Sequence, residues 1–236
     1  MVSAQMTTVL AMLDRNTGQL PADDRAAAEA AARALGVDGI TAGVGTGPAG
    51  TVLAWGSGAV SAAVDHLQFT LGQGPGADCA ETGLPVLAPD LMASGTRWPA
   101  FTPAAAALGV RAVFAFPLNI GAMSVGTMLA YRGAEGSLSD GQYADAVGLA
   151  IAVTVVLIGR RSVRDGGPDS WVPAGWAAPQ TYRAEVHQAT GMISVQLGVS
   201  LAEALARLRA YAYSQDRLIA EVAADVVGRR LRFDGL

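Results

Sequence analysis

A short stretch rich in proline and glycine divides the sequence into two units, and this division constrains the fold more than any other feature. Between Arg160 and Gln180 the chain holds three prolines and three glycines, and such a run continues neither a helix nor a central strand. We interpret it as a linker that is anchored by Trp171 and Trp176. The 236 residues therefore predict a first domain at 1–158, a linker at 159–180 and a second domain at 181–236.

The first domain mixes helical and strand-like segments. Apolar residues recur at helical spacing over 1–14, and the period shortens to runs typical of strands at 40–44 and 51–55. A Gly/Pro-rich loop is expected at 69–79. This pattern predicts an α+β domain with one antiparallel sheet and helices grouped on one face. The remaining predicted elements are helices at 22–35, 56–68, 103–108 and 139–156, and strands at 85–87, 111–118 and 124–132.

Three short helices are predicted in the second domain. The first runs over 181–197 with Val186, Ala189 and Ile193 on one face, and Gly198 ends it. Ser200 and Glu203 have capping-box spacing at the start of the second helix. The third helix is expected over 218–231, so the domain is predicted to be an all-α three-helix bundle.

Charge is distributed unequally between the two domains. The net charge of −4 hides −6 over 1–158 and +1 over 181–236, and all sixteen basic residues are arginines. A charge of +1 is no strong signal for a polyanion by itself, although arginine suits phosphate and base contacts better than lysine does.

Cys79 is the single cysteine, which fits a reducing cytoplasm. No secretory leader opens the chain. The most apolar stretch, Ala146 to Gly159, is too short for a bilayer and is interpreted as a buried helix, so no membrane partner is expected.

Motifs of catalysis and metal binding are missing from the sequence. It contains no Gly-x-Ser-x-Gly elbow, no lysine for a phosphate-binding loop and no His-Glu-x-x-His. His66 and His187 are isolated, without other ligands at metal-binding spacing. We therefore expect no metal, no cofactor and no enzyme activity.

The second domain resembles the ANTAR domain. The resemblance lies in the segment Tyr182 to Gly198, in the pattern Ala189-x-Gly-Met192, in Ala204-Leu-x-x-Leu-Arg-x-x-Ala212, and in Val222-Ala223. It covers nearly all of 181–236.

The first domain resembles the GAF domains that precede ANTAR domains in actinobacterial regulators. The matching segments are 67–75, 82–86, 89–91, 97–101 and 116–118, within a resemblance that covers about 10–158. Many relatives carry cysteine directly after the Gly-Pro of the first segment. Here Gly76 stands at that position and Cys79 follows three residues later.

The resemblance implies a transcription antitermination regulator. ANTAR domains bind paired hairpins in nascent RNA and favour an antiterminator over a terminator, whereas GAF domains bind small molecules or mediate dimerisation. RNA is thus the implied partner, with an unknown small molecule as a second ligand. A homodimer is expected because the apolar helices at 2–13 and 144–158 can bundle across a two-fold axis.

Candidate RNA-binding residues lie on the first two helices of the second domain. Ala189, Thr190 and Gly191 would give a thin surface for close RNA approach, although Gly191 could equally serve helix packing. Arg209 could contact phosphate or stack on a base, or be solvated or paired with an acid. Weaker candidates are Arg183, His187, Arg207 and Arg217. The arginines at 229–232 instead suit a helix C-terminus.

A ligand pocket in the first domain is the second candidate site. Its predicted lining is Phe69, Gln73, Asp90, Trp98, Phe114 and Phe116. The alternatives are a purely structural loop at 69–75 and aromatic residues that simply fill the core.

Three other functions stay open at this point. The bundle could bind DNA, although the third helix starts with Leu218-Ile219-Ala220 and lacks base-reading polar groups. Cys79 could act in a sulfoxide reductase, although a resolving cysteine is missing. The protein could also be an interaction module without RNA binding.

Overall fold

A computed structural model describes residues 2–15, 21–45, 52–121, 123–163, 177–215 and 217–234. The breaks expected at 16–18 and 47–50 lie outside these residues, as do Trp171 and Trp176 of the linker. The first-domain elements are α1 (Ala4–Arg15), α2 (Pro21–Leu35), β1 (Gly39–Val44), β2 (Val52–Gly56), α3 (Gly58–Leu71), α4 (Pro75–Thr82), β3 (Val86–Ala88), α5 (Phe101–Ala107), β4 (Ala112–Ile120), β5 (Met123–Arg132) and α6 (Asp140–Val163). The second domain comprises α7 (Ala177–Leu197), α8 (Leu201–Ser214) and α9 (Ile219–Val227).

The five strands form one antiparallel sheet in the order β2-β1-β5-β4-β3. Strands β4 and β5 form its longest hairpin, with Phe114 opposite Ala130. Strand β1 then pairs with the far side of β5, and the short strand β3 closes the other edge. The antiparallel sheet predicted from the sequence is therefore confirmed.

Helices cover both faces of this sheet, so the expected grouping on one face is wrong. Phe114 points to a core shared with α1, α2 and α6, whereas its neighbours Val113 and Ala115 point to a core shared with α3, α4 and α5. Successive side chains of a strand alternate between faces, and here both faces are apolar and buried. A sheet with two apolar faces needs a helical layer on each side.

The predicted loop at 69–79 is also wrong, because most of it is helical. Helix α3 runs on to Leu71, and α4 starts at Pro75, where proline lacks a donor that a first helical turn would leave unpaired. Gly72 ends α3 in the left-handed conformation with φ of +64°, and its N–H bonds to the carbonyl of Gln68. The Gly/Pro signal thus marks helix ends rather than a loop.

Helix α6 packs against the sheet as a core helix. Its stretch Asp140–Gly159 is longer than the predicted apolar segment 146–159 and, by length and composition only, could cross a bilayer. The helix extends beyond that segment at both ends. Leu149, Val153 and Leu157 are nevertheless buried in the core with α1 and α2, which confirms the expected buried helix.

The second domain forms the predicted three helices with a core of its own. Val186, Ile193 and Leu208 are fully buried between them. Helix α9 ends at Val227, four residues earlier than predicted, and Arg230 Nη2 donates to the carbonyl of Ala224 near that end. The contact agrees with the expected role of the 229–232 arginines at a helix C-terminus.

Because helices cover both faces of the sheet, we expect the substitution Phe114→Ala to lower the stability of the protein strongly. The ring is completely buried, so its removal leaves a cavity and should lower the free energy of unfolding by about 3–5 kcal/mol. Urea unfolding followed by circular dichroism measures the change. The exposed Leu84→Ala is the control and should shift stability by about 0.5 kcal/mol at most. Equal effects of the two substitutions would contradict the fold.

Candidate nucleic-acid interface

The first two helices of the second domain meet at a sharp turn, and the start of the second helix, α8, is capped as the sequence predicts. Gly198 has φ of +65° and follows the last residue of α7. The side chain of Ser200 then accepts a hydrogen bond of 3.2 Å from the backbone N–H of Glu203. This turn fixes α8 against α7, and the two helices together carry all the candidate RNA-binding residues except Arg217.

Two of the three residues expected to form a thin RNA surface are buried. Ala189 is inaccessible and belongs to the core of the second domain. Thr190 is 3% exposed, and its hydroxyl donates a 2.7 Å hydrogen bond to the carbonyl of Val186. The expected surface of three residues is therefore corrected. Small residues at these positions let α8 and α9 pack closely on α7.

Gly191 differs from these two neighbours. It is half-buried, and a Cβ built on it would meet no atom within 4 Å in the part of the chain that the structure describes. Close packing between described helices therefore does not explain a glycine at this position. Gly191 is one turn beyond His187 on α7, so the two residues share a helix face.

Arg209 and His187 both contact Phe69, which belongs to helix α3 of the first domain. Arg209 Nη2 donates to the carbonyl oxygen of Phe69, and its Cζ lies 5.7 Å from the centre of the Phe69 ring. The His187 ring meets the Phe69 ring nearly perpendicularly, with 5.9 Å between the ring centres. Burial lowers the pKa of the Arg209 guanidinium to about 10, so the group remains charged at neutral pH.

Arg207 and Arg217 lie on the surface. Arg207 pairs with Glu203 at 2.6 Å, one helical turn earlier. Arg217 pairs with Asp225 at 2.7 Å, and the hydrogen bond to Asp225 raises the pKa of Arg217 above its ordinary value. Such exposed pairs are weak and exchange readily with another anion. Arg183 lies on α7, and its side chain falls outside the part that the structure describes.

The predicted aromatic lining of a ligand pocket is divided by the sheet. Trp98 is buried on the α3–α5 side, whereas Phe114 and Phe116 are buried on the α1–α6 side. The three rings therefore cannot line one cavity, and this grouping is wrong. Within its own layer, Trp98 donates its ring N–H to Asp78, which also accepts from Arg97.

The remaining predicted pocket residues have local structural contacts. Gln73 accepts a hydrogen bond from the backbone N–H of Ala100, and Asp90 accepts one from the backbone N–H of Ala93. Phe69, expected at the rim of a pocket in the first domain, is instead packed into the core of the second domain. Its side chain points away from the interior of its own domain.

Gln68 is a buried polar residue that the sequence did not single out. It is 5% exposed, its side-chain oxygen accepts a hydrogen bond from the N–H of Gly76, and its side-chain nitrogen has no partner among the described residues. A Cβ on Gly74 would lie 2.6 Å from this side chain. Gly74 and Gly76 thus leave room for the side-chain amide of Gln68, a role that the sequence alone does not show.

Cys79 is completely buried in the core between the sheet and helices α3 to α5. Burial without a compensating positive charge raises the pKa of its thiol to about 12. The thiolate required for redox chemistry is therefore scarce at neutral pH. Among the described residues, no group of three His, Cys, Asp or Glu side chains could hold a metal ion.

Comparison with known proteins matches both domains. The ANTAR domain family matches residues 180–227. The first domain is similar in structure to the GAF domain of a phosphoenolpyruvate-protein phosphotransferase from Acinetobacter, with 13% identity, a TM-score of 0.51, and coverage of 69% of this chain and 98% of that chain. The GAF domain of a phosphoenolpyruvate-protein phosphotransferase from Coxiella burnetii is also similar, with 18% identity and a TM-score of 0.51. The match covers 68% of this chain and 98% of that chain.

A third similar structure is the free methionine-R-sulfoxide reductase from Neisseria meningitidis. It has 15% identity, a TM-score of 0.51, and coverage of 67% of this chain and 89% of that chain. Such low identities show a shared fold and nothing about activity. No curated protein matches the sequence.

The structure shows a two-domain protein in which an α+β domain precedes a small helical domain. The first domain has the GAF fold, and the second is an ANTAR domain. The predicted GAF plus ANTAR architecture is thus confirmed. ANTAR domains are RNA-binding antitermination modules.

The burial of Cys79 predicts an unreactive thiol in the native protein. A disulfide reagent at pH 8 should modify the native chain at least about a hundred times more slowly than the denatured chain, because both access and thiolate are lacking. Absorbance of the released thiol leaving group measures both rates on the same single cysteine. Equal rates before and after denaturation would contradict the buried position.

Proposed function

We propose that this protein is a cytoplasmic RNA-binding regulator of transcription antitermination, with an RNA-binding surface on helices α7 and α8. The ANTAR match at 180–227 supports the class of ligand, namely adjacent hairpins in nascent RNA. The GAF fold supports a sensory input by a small molecule, or a role in dimerisation. The protein acts through binding, without catalysis of its own.

The observation that carries this proposal is the open glycine in the middle of α7. Glycine within a helix costs about 1 kcal/mol relative to alanine. At Gly191, no described neighbour would clash with a side chain, so packing does not explain why the residue is glycine. A ligand that approaches the helix backbone would benefit from a glycine here, and RNA hairpin loops present phosphates and unstacked bases at such close range.

The groups around Gly191 suit an RNA ligand. His187 precedes it by one turn, and Arg209 of α8 lies beside His187 across the ring of Phe69. Arg207 extends the basic character along α8. A planar guanidinium can pair with phosphate or stack on an unpaired base, which gives the face both charge and a stacking partner.

The other functions are less well supported. A reductase would need a reactive thiolate, whereas the pKa of the buried Cys79 is raised to about 12. A DNA-reading helix would present polar groups at its start, whereas α9 begins with the buried Ile219. Competition between an RNA with two adjacent stem–loops and duplex DNA decides between the nucleic acids, and preference for DNA would overturn the proposal.

The substitution Gly191→Ala tests the RNA surface directly. It should raise the free energy of unfolding by about 0.5–1 kcal/mol, because alanine is the better helix former and has open space. It should also weaken binding of a two-stem–loop RNA by roughly tenfold or more, because the added methyl group holds the RNA backbone away. Fluorescence anisotropy with labelled RNA measures the affinity.

Gly141→Ala is the matched control, since it makes the same change in the first turn of α6. It should leave RNA affinity unchanged. If Gly191→Ala is more stable and binds RNA as tightly as the wild type does, the backbone of α7 is not the contact surface.

We further propose a homodimer through helix α6. The apolar residues Met6, Val9 and Leu13 of α1 are buried in the core of their own domain and are not available to a second copy. On α6, by contrast, Ile151 and Val155 are 61% and 63% exposed and lie one turn apart. A second copy would cover this apolar stripe and would bring two ANTAR domains to two adjacent hairpins.

The double substitution Ile151→Glu and Val155→Glu should therefore produce a monomer, because four buried carboxylates would face each other across the two-fold axis. Light scattering at micromolar concentration measures the mass. Met123→Glu, at a residue that is 68% exposed on β5, should leave the dimer intact. A wild-type protein that is already monomeric would refute the dimer.

A further inference from the structure

A single side chain of the GAF domain is built into the core of the ANTAR domain. Phe69, in the last turn of α3, is 6% exposed and clusters with buried residues of the second domain such as Val186, Leu205 and Leu208. Every other buried member of that cluster among the described residues comes from α7 to α9 or from Phe233 after them. The contact therefore joins the two domains by inserting one aromatic ring.

The guanidinium of Arg209 completes the contact on the side of the ANTAR domain. It donates to the Phe69 carbonyl at the C-terminal end of α3, where unpaired carbonyls favour a positive charge. It also fills the space beside Gly72, where a Cβ would lie 2.8 Å from Arg209 Nη1. Phe69 thus offers Arg209 a ring face and a carbonyl, which are the two kinds of group that RNA would offer.

The surface that Phe69 covers overlaps with the surface proposed for RNA. The ring lies against His187 of α7 and against Arg209 of α8, and Gly191 is only one turn beyond His187. An RNA base or phosphate cannot occupy the same space as the ring. Binding of RNA by these residues therefore requires Phe69 to leave.

We propose that Phe69 is an autoinhibitory latch, by which the GAF domain occupies the RNA-binding face of the ANTAR domain until α3 moves. The inference rests on the proposed RNA-binding function. In this closed state Arg209 is held by a peptide carbonyl and an aromatic ring in place of RNA. The affinity of the full chain for RNA is then reduced by the fraction of molecules in the open state.

Gln68, the residue before Phe69, is where we propose that a ligand of the GAF domain acts on the latch. Gln68 points into the GAF domain, where its oxygen accepts from Gly76 and its buried nitrogen has no partner among the described residues. A ligand with a carbonyl or carboxylate oxygen would satisfy this donor. It would then act one residue from the latch, on the same turn of α3, and would shift the balance of closed and open states.

Phe69→Ala in the full chain tests the latch. We expect it to tighten binding of a labelled RNA pool, with two adjacent stem–loops and randomised loop bases, by roughly tenfold or more. Phe101→Ala is the matched control, because Phe101 is a completely buried phenylalanine of the GAF domain outside the contact. It should leave RNA affinity unchanged, which separates release of the latch from general loosening of the domain.

Phe69→Leu is a second test variant, which keeps the proposal testable if Phe69→Ala unfolds the ANTAR domain. Leucine keeps the apolar contact with the core and removes the ring against Arg209 and His187, so it should tighten RNA binding to a smaller extent. If the wild type binds RNA and neither variant binds it more tightly, the latch is refuted while the proposed function stands. If neither the wild type nor the Phe69 variants prefer stem–loop RNA to an unstructured RNA, the proposed function fails and the latch fails with it.

Discussion

Phe69 is the one buried residue of the first domain that the described structure places in the apolar core of the second domain. It holds α3 of the GAF domain against α7 and α8 of the ANTAR domain. A buried phenylalanine is worth more than the exposed ion pairs elsewhere on the surface. The ring covers the part of the ANTAR domain that carries His187 and Arg209.

Electrostatics makes the same contact easy to reverse. Moving the Arg209 guanidinium out of water costs free energy, which is visible in its lowered pKa, and the Phe69 carbonyl and ring offset that cost only in part. A phosphate is the stronger partner for a guanidinium. The charge over 181–236 is only +1, and under the proposed function the arginines of this domain would exchange their present partners for phosphates on RNA binding.

Local sequence patterns were sufficient for most elements, because period and capping are properties of neighbouring residues. The strands β4 and β5, the helices of the second domain and the helix cap at Ser200 were predicted correctly. Patterns could not show that Phe114 and Trp98 lie on opposite sides of the sheet, since apolar residues on both faces give the same continuous run. Gly72 favoured a loop at 69–79, because a left-handed glycine looks alike in a turn and at a helix end.

The candidate site was predictable only in its parts. The resemblance to ANTAR domains indicated Gly191 and Arg209, but the burial of Ala189 and Thr190 depends on how α8 and α9 pack on α7. The sequence places Phe69 at a ligand pocket, because it contains no information on which domain the ring enters. Contacts between residues 140 positions apart, such as that of Arg209 with Phe69, are properties of the tertiary structure alone.

Hydrogen–deuterium exchange of the full chain, with and without a two-stem–loop RNA, shows whether RNA displaces Phe69 from the ANTAR domain. We expect slower exchange on the α7 and α8 segments around Gly191 and Arg209, together with faster exchange at the C-terminal end of α3 as Phe69 is released. Protection of α7 and α8 without any change in α3 would contradict the exclusive use of this surface. Unchanged exchange in all three helices at saturating RNA would contradict the RNA-binding surface itself.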